Sequence, residues 1–420
     1  MTTVWIATFW IAAGMLAYVL VGYPLLLLAL SGMVRRRSPE PFEPHVTLII
    51  PAHNEEKTLR AKLRNALEIE YDRERLDITV ASDGSVDATV EIAREFEPQG
   101  VAVLDFPNRR GKASVLNDAA AAATGEVLCL CDANVIFQPD ALKILVARLG
   151  DPAVGAATGD VRLASHESNF GQGESFYYAL ERQLQTAESE VGSLMGVDGG
   201  MYVVRKPLFR PLPPDTILDD HVVSMEVIRQ GQRVVYEPRA IADENGTPAA
   251  RQEWRRRVRV AAGATQSIKR GIWPPRSRPV ELWQFLSHKA LRWLAPLWLA
   301  VLLAANAALL GAGLFYQLTM AAQAAVYLAA VLATLSVRFR NSRIGGIPFY
   351  FVMSNAAMAV GLIKGLFDLQ PVTWAQAERT GTDQPQDAGR QQSEPEALDT
   401  GQPATAVAEA SGDINRESQP

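Results

Sequence analysis

The sequence predicts an α/β protein: a Rossmann-like, mostly parallel sheet with helices on both faces, flanked by apolar helices at either end of the chain. Three observations predict it. Between residues 44 and 150, short runs that are apolar throughout alternate with segments repeating apolar residues at helical spacing. A strand with no in–out alternation is one covered on both faces. Polar clusters follow these runs directly, at the strand ends where such sheets bind ligands. Four long apolar runs lie outside this region, near residues 4–33, 293–314, 318–337 and 344–366, each long enough to cross a bilayer.

The first apolar run is followed at once by Arg35, Arg36 and Arg37. A signal peptide carries its charge before the apolar run and ends in small residues, so residues 1–34 are expected to be a retained transmembrane anchor. Val46–Ile50 reads as a buried strand ending in Pro51-Ala52-His53-Asn54-Glu55, with Leu59, Leu63, Ala66 and Leu67 marking a helix after it. Asp77–Ala81 reads as a second strand that ends in Ser82-Asp83-Gly84-Ser85. Asp87 leads into a helix over 88–96, and Val101–Leu104 is a third strand. Gly111-Lys112 precedes a helix over 113–123. The fourth strand, 126–131, ends in Asp132-Ala133-Asn134.

Further on, Phe170–Val191 is an aromatic-rich helical stretch with Phe176, Tyr177, Tyr178, Leu180 and Leu184. Core packing is one reading of it, and a stacking platform for a sugar is the other. After a proline-rich turn, Asp219 and Asp220 stand at the start of a helix marked by Val222, Val223, Met225, Val227 and Ile228. A helix start favours an anion, so a plain cap is one reading of this pair.

Composition removes several classes of function. A net charge of −5 gives no footprint for nucleic acid. Cys129 and Cys131 would share one face of a strand, a poor geometry for a disulfide, and read as small buried residues in a reducing compartment. The five histidines are scattered and form no four-ligand zinc pattern. No G-x-G-x-x-G or P-loop pattern follows any strand. Acids at strand ends instead suit a nucleoside diphosphate held through a metal. Asp132 and Asn134 offer oxygen ligands fit for Mg²⁺ or Mn²⁺. Asp83 could accept hydrogen bonds from a base or ribose, while Lys112 with Arg109 or Arg110 could balance phosphate charge. Taken singly, Asp83-Gly84-Ser85 and Asp132-Ala133-Asn134 could each be only a turn.

Their joint order carries more. Thr47–Glu55, Ser82-Asp83-Gly84-Ser85 with Asp87, Arg110-Gly111-Lys112 with Leu116-Asn117, Asp132-Ala133-Asn134, Gly199-Gly200, Asp219-Asp220 and Gln252 with Arg255-Arg256 resemble the membrane-embedded family 2 glycosyltransferases of the GT-A fold. The resemblance covers about residues 45–265. It implies an inverting transfer from a nucleotide diphosphate sugar, UDP-linked as is usual in this family, with Asp83 on the base and Asp132 and Asn134 on the metal. It makes Asp220 the catalytic base. Pro51, His53, Asn54, Glu55, Lys112, Gly200, Gln252, Arg255 and Arg256 fall in its substrate and nucleotide motifs. Three departures stand out. Asn134 replaces the commoner Asp, Leu218-Asp219 replaces Thr-Glu, and Trp254 stands before Arg255 where polymerising members place Trp after Arg. Apolar runs flank the catalytic region on both sides, which favours a growing extracellular polysaccharide as product, with single transfer to a polyprenyl phosphate or glycolipid as the alternative. A nucleotide-binding regulator that has lost catalysis is the rival outside enzymes.

The catalytic domain is expected to cover 44–270, followed by an interfacial amphipathic segment, 271–292, three transmembrane helices within 293–367 and a disordered tail, 375–420. Arg255-Arg256-Arg257 and Arg259 could hold diphosphate or lie against an anionic leaflet. Arg35–Arg37 with Arg338, Arg340 and Arg343 put the catalytic domain in the cytoplasm of an inner-membrane protein and the tail outside. The expected partners are the nucleotide sugar, a carbohydrate or lipid acceptor, and membrane lipid. On the cytoplasmic side, Asn245-Gly246-Thr247 carries no glycosylation meaning. No span shows the interior acids of a coupled pump.

Overall fold

Eight strands form one sheet in the computed structural model: β1 Val46–Ala52, β2 Leu76–Asp83, β3 Val101–Phe106, β4 Val127–Cys131, β5 Val135–Phe137, β6 Val154–Leu163, β7 Met201–Arg205 and β8 Arg233–Glu244. The structure describes residues 1–34, 40–163, 172–244 and 250–372. Arg35–Arg37, the side chains of Phe176 and Tyr177, Asn245-Gly246-Thr247 and the tail 375–420 lie outside the described residues.

The strand order is β3-β2-β1-β4-β7-β6-β8-β5. The first four strands pair in parallel. Beyond β4 the sheet is mixed: β7 runs antiparallel to both β4 and β6, β8 parallel to β6, and β5 antiparallel to β8. The all-apolar runs are buried from end to end, as every residue of β1 and β4 shows. Side chains along a strand alternate between faces. Leu48 and Ile50 therefore pack with Leu59 and Leu63 on one side, and Ile49 packs with Val115 and Leu116 on the other. Leu63 is fully buried, so Leu63→Ala would cost about 2–5 kcal/mol. Cys129 and Cys131 are free and buried in β4.

Because β1, β2 and β4 run parallel, their carboxyl ends lie along one edge of the sheet. Gly84, just past β2, has φ +64°, and a Cβ there would stand 2.6 Å from the backbone nitrogen of Arg109. Only glycine lets the β2 turn and the 108–111 loop close on each other.

Among the described residues, three helices are long and apolar enough to cross a membrane: Thr2–Ser31, Leu314–Leu335 and Arg343–Leu366. The pair Pro279–Trp293 and Ala295–Ala308 would be a fourth candidate, bent by 58°. The polar and aromatic 279–293 stretch thus meets the apolar 295–308 stretch at an angle, where sequence analysis expects an interfacial segment to enter a span.

Candidate active site

The strand ends are tied to one another by short hydrogen bonds. His53 Nδ1 lies 2.7 Å from the Asp83 carbonyl oxygen. A carbonyl only accepts, so Nδ1 carries a proton. Asn54 sits at φ +56°, a left-handed conformation that Asn tolerates. There its Oδ1 accepts the Val86 N–H at 2.9 Å, while its own N–H donates to Ser85 Oγ. Glu55 donates its N–H to Thr89 Oγ1 at 2.7 Å and accepts the Thr58 hydroxyl at 2.7 Å. Pro51 lies within β1, buried.

Asp83 is buried, and its two carboxylate oxygens accept the backbone N–H groups of Arg110 (2.6 Å) and Gly111 (2.9 Å). The carboxylate thus holds the loop that leads into the helix Lys112–Ala122. Contact with a base would use its remaining lone pairs.

Lys112 opens that helix and reaches across to β4. Its Nζ donates to Asp132 Oδ1 at 2.8 Å and lies 3.3 Å from Asp219 Oδ2. Burial disfavours the ammonium, yet Asp132, Asp219 and Asp220 outweigh it and raise the Lys112 pKa. Lys112 is therefore a fixed positive charge at the centre of the site.

The helix Asp219–Arg229 begins at the acidic pair itself, with Leu218 in the N-cap position and no side-chain cap. Neither aspartate is the cap; both stand in the first turn. Asp219 is buried against Lys112. Asp220 is partly exposed, and its Oδ1 accepts the His221 N–H at 2.7 Å. A Cβ on Gly199 would stand 3.4 Å from Asp220 Oδ2, so the glycine leaves that oxygen uncovered. Burial and the Asp219 charge, opposed by Lys112, push the Asp220 pKa up to about 6. The neighbouring His221 is no rival base. Burial, helped by Lys289, pulls its pKa down to about 3, and its ring packs against Phe285 and Trp293.

Asn134 is buried, and its Nδ2 donates to Glu244 Oε1 at 3.1 Å. With its nitrogen engaged, the side-chain oxygen is the group left for a cation. Among the described residues no three acids, histidines or cysteines cluster as a complete metal cage. Asp132 with Asn134 fits a hard cation that takes its other ligands from phosphate and water, as Mg²⁺ does.

Two acids that sequence reasoning missed join this corner. Asp198 bonds the Gly200 N–H at 2.9 Å. Glu244 ends β8. Desolvation first, then other acids including Asp132, raise both their pKa values, with Arg256 opposing. Asp198 stands directly before the flagged Gly199-Gly200 pair, which was its available signal. Glu244 had none, because its place depends on β8 pairing with β6 and β5. Arg255 and Arg256 are both exposed; Arg256 donates to Tyr178 Oη at 3.1 Å and its charge acts on these acids. Both lie with Gln252 on the helix Ala250–Lys269. The site thus gathers Lys112, Asp132, Asp219 and Asp220 directly, with Asn134 and Arg256 alongside.

Comparison with known proteins agrees with this geometry. Residues 47–210 match the model for glycosyl transferase family 2. A poly-beta-1,6-N-acetyl-D-glucosamine synthase of Staphylococcus epidermidis is 26% identical over 235 residues, covering 54% of this chain and 57% of that protein. The corresponding Staphylococcus aureus (strain COL) protein is 27% identical over 231 residues, covering 54% and 56%. The chain therefore matches little more than half the length of these relatives. A mannosyltransferase of Pyrobaculum calidifontis, solved with GDP-Man and Mn²⁺, is 25% identical with a TM-score of 0.66, covering 86% of this chain and 100% of that one.

Proposed function

We propose that this chain, whose residues 47–210 match glycosyl transferase family 2 and whose strands form a GT-A-like mixed sheet, is an inverting glycosyltransferase. It would move a sugar from a UDP-linked donor to a growing extracellular polysaccharide, from a catalytic domain on the cytoplasmic face of the inner membrane. The observation that carries this reading is the meeting of Lys112, Asp132 and the Asp219-Asp220 pair, drawn from three separate elements. The polysaccharide synthases among its relatives support the product class.

In this reading Asp220 accepts the proton of the acceptor hydroxyl as that oxygen attacks the anomeric carbon. The bond from carbon to diphosphate oxygen breaks on the opposite face, and the nucleoside diphosphate leaves with the electron pair. A positioned base of this kind contributes roughly 10²–10⁴ in rate. Lys112 and Arg256 offset charge on the departing group. Asp132 and Asn134 would hold a divalent cation, Mg²⁺ or Mn²⁺, that neutralises diphosphate when bound. Asp83 and the 108–111 loop would receive the nucleoside.

The mannosyltransferase supports a second reading, a GDP-linked donor. Purified protein in lipid, offered a panel of UDP- and GDP-sugars with each divalent cation, separates them by mass analysis of the product. A sugar polymer from a UDP donor is expected. A one-sugar lipid product, or turnover of GDP-sugars alone, would replace it, and nucleotide binding without any turnover would make the chain a regulator.

A further inference from the structure

The helix Arg343–Leu366 is long and apolar enough to be a span, but besides its contact with Leu314–Leu335 it packs along the catalytic domain. It runs beside the helix Ala250–Lys269 of the catalytic domain. A Cβ on Gly361 would stand 2.4 Å from the Val258 carbonyl oxygen, and one on Gly365 would stand 2.6 Å from that of Ala262. Nearer its start, the Tyr350 hydroxyl bonds Arg257 and lies 3.4 Å from Glu253. Past its end, Asp368 pairs with Lys269 at 2.7 Å. The two helices therefore accompany each other for about 25 Å of α-helical rise.

The companion helix cannot lie in hydrocarbon. It carries Arg251, Arg255, Arg256, Arg257, Arg259 and Lys269, and charge at bilayer depth is costly. Its other side joins the loop before the acidic pair: Arg259 donates to the Ile217 carbonyl and Gln266 to that of Asp215. The contacts of Arg343–Leu366 with the remaining candidate spans are also one-sided. Phe349 and Tyr350 pack with Ala333 near the last turn of Leu314–Leu335, and Leu362 packs against the buried cluster that includes Phe285 and Trp293 of the first helix of the bent pair. The cluster at the far ends of the spans holds Phe9, Ala305 and Leu309, with Tyr316 against it, and no residue of this helix.

We propose that Arg343–Leu366 does not cross the membrane but lies in its interface, on the same side as the catalytic domain. Its partner is the lipid of that leaflet. Val360, Ile363 and Phe367 are exposed at helical spacing, a face left for acyl chains. Arg340, Arg343 and Lys364 suit an anionic headgroup layer. The membrane surface is thereby seated against the helix that carries Arg256. The tail after residue 372 then emerges on the catalytic side, opposite to the sequence-based expectation. This placement does not depend on which sugar the site transfers.

Single cysteines test it in the full chain, whose two native cysteines are buried. Gly311→Cys reports the turn between Ala295–Ala308 and Leu314–Leu335, Val86→Cys the catalytic domain, and Leu369→Cys the end of the helix. With a membrane-impermeant maleimide, Leu369→Cys is expected to label only under the conditions that label Val86→Cys, and Gly311→Cys under the opposite ones. Leu369→Cys labelling together with Gly311→Cys would overturn the proposal. A topology reporter fused to the C-terminus of the otherwise native chain reads the same question, and a signal on the Gly311 side would overturn it equally.

Discussion

At the ends of β1 and β2, polar side chains bond to the loops of their neighbours: His53 to Asp83, Asn54 to Val86, Asp83 to Arg110 and Gly111. At the ends of β4 and β8, and around the 198–200 turn, acids face one another across Lys112 and Arg256 instead. The first region is a finished hydrogen-bond network, shaped before any ligand arrives. The second holds Asp198, Asp220 and Glu244 at a cost, since burial and neighbouring acids disfavour their charged forms. Such a corner is relieved by a cation or a donated proton. The difference separates a rigid nucleoside floor from a charged chamber where the chemistry would occur.

The comparison breaks most visibly at Asp132. In the proposed function, Asp132→Ala removes a carboxylate from the cation and leaves Lys112 held by Asp219 alone. Divalent-dependent donor binding is expected to disappear, as read by calorimetry with and without chelator. Full-rate transfer in excess chelator would take the metal role away from this corner.

Asp220→Asn comes next. It keeps shape and hydrogen bonding but not basicity, so transfer is expected to fall by at least about 10² with donor affinity little changed. Asp219→Asn should cost less in rate, although Asp219 contributes more to the site than a cap, being buried against Lys112. A larger loss at Asp219 than at Asp220 would move the base.

The pH profile sharpens the same contrast. A base works only when ionised, and Asp220 titrates near 6 in the free protein. Below that value kcat/KM should drop roughly tenfold per pH unit, and it should level off above it. Removing the Asp219 charge removes one cause of the raised pKa, so Asp219→Asn should move the acid limb to lower pH. A limb that stays in place in that variant would separate the titration from Asp220.

Much of the rigid floor was legible in the sequence because its parts are local. Each strand runs directly into its own polar cluster, so His53, Asp83 and Asp132 could be assigned to strand ends from apolar runs alone. The charged chamber was legible only in part. Asp220 was found through its neighbour and motif. Asp198 was missed although it directly precedes Gly199-Gly200, and Glu244 was missed because β8 enters the sheet out of chain order, so no local pattern brings it beside Asn134. Arg256 was flagged beside Arg255, but only helix phase decides which of two adjacent arginines reaches Tyr178. The last apolar helix shows the limit from the other side: length and hydropathy admit a span, while what it packs against is a tertiary fact.

The smallest effect is expected at Asn134, where the comparison can be tuned instead of broken. The motif reading alone says that Asn134→Asp restores the commoner acid pair and should be tolerated. The structure adds a condition. Asn134 Nδ2 donates to Glu244 Oε1 at 3.1 Å, and an aspartate has no N–H to give. Without metal, Asn134→Asp would put two carboxylates in contact beside Asp132 and Asp198, and like charges so placed repel. The variant should therefore be slightly less stable than the parent in chelator. With Mg²⁺ or Mn²⁺ it should recover and hold the ion more tightly. Adding Glu244→Gln supplies an N–H to the new carboxylate and should abolish the cost in chelator while keeping the gain in metal affinity. Thermal melts of the single and double variants, each with chelator and with saturating Mn²⁺, read all four corners of that cycle. If Asn134→Asp melts as the parent does in chelator, the hydrogen bond to Glu244 contributes nothing, and the two residues are not coupled through the metal corner.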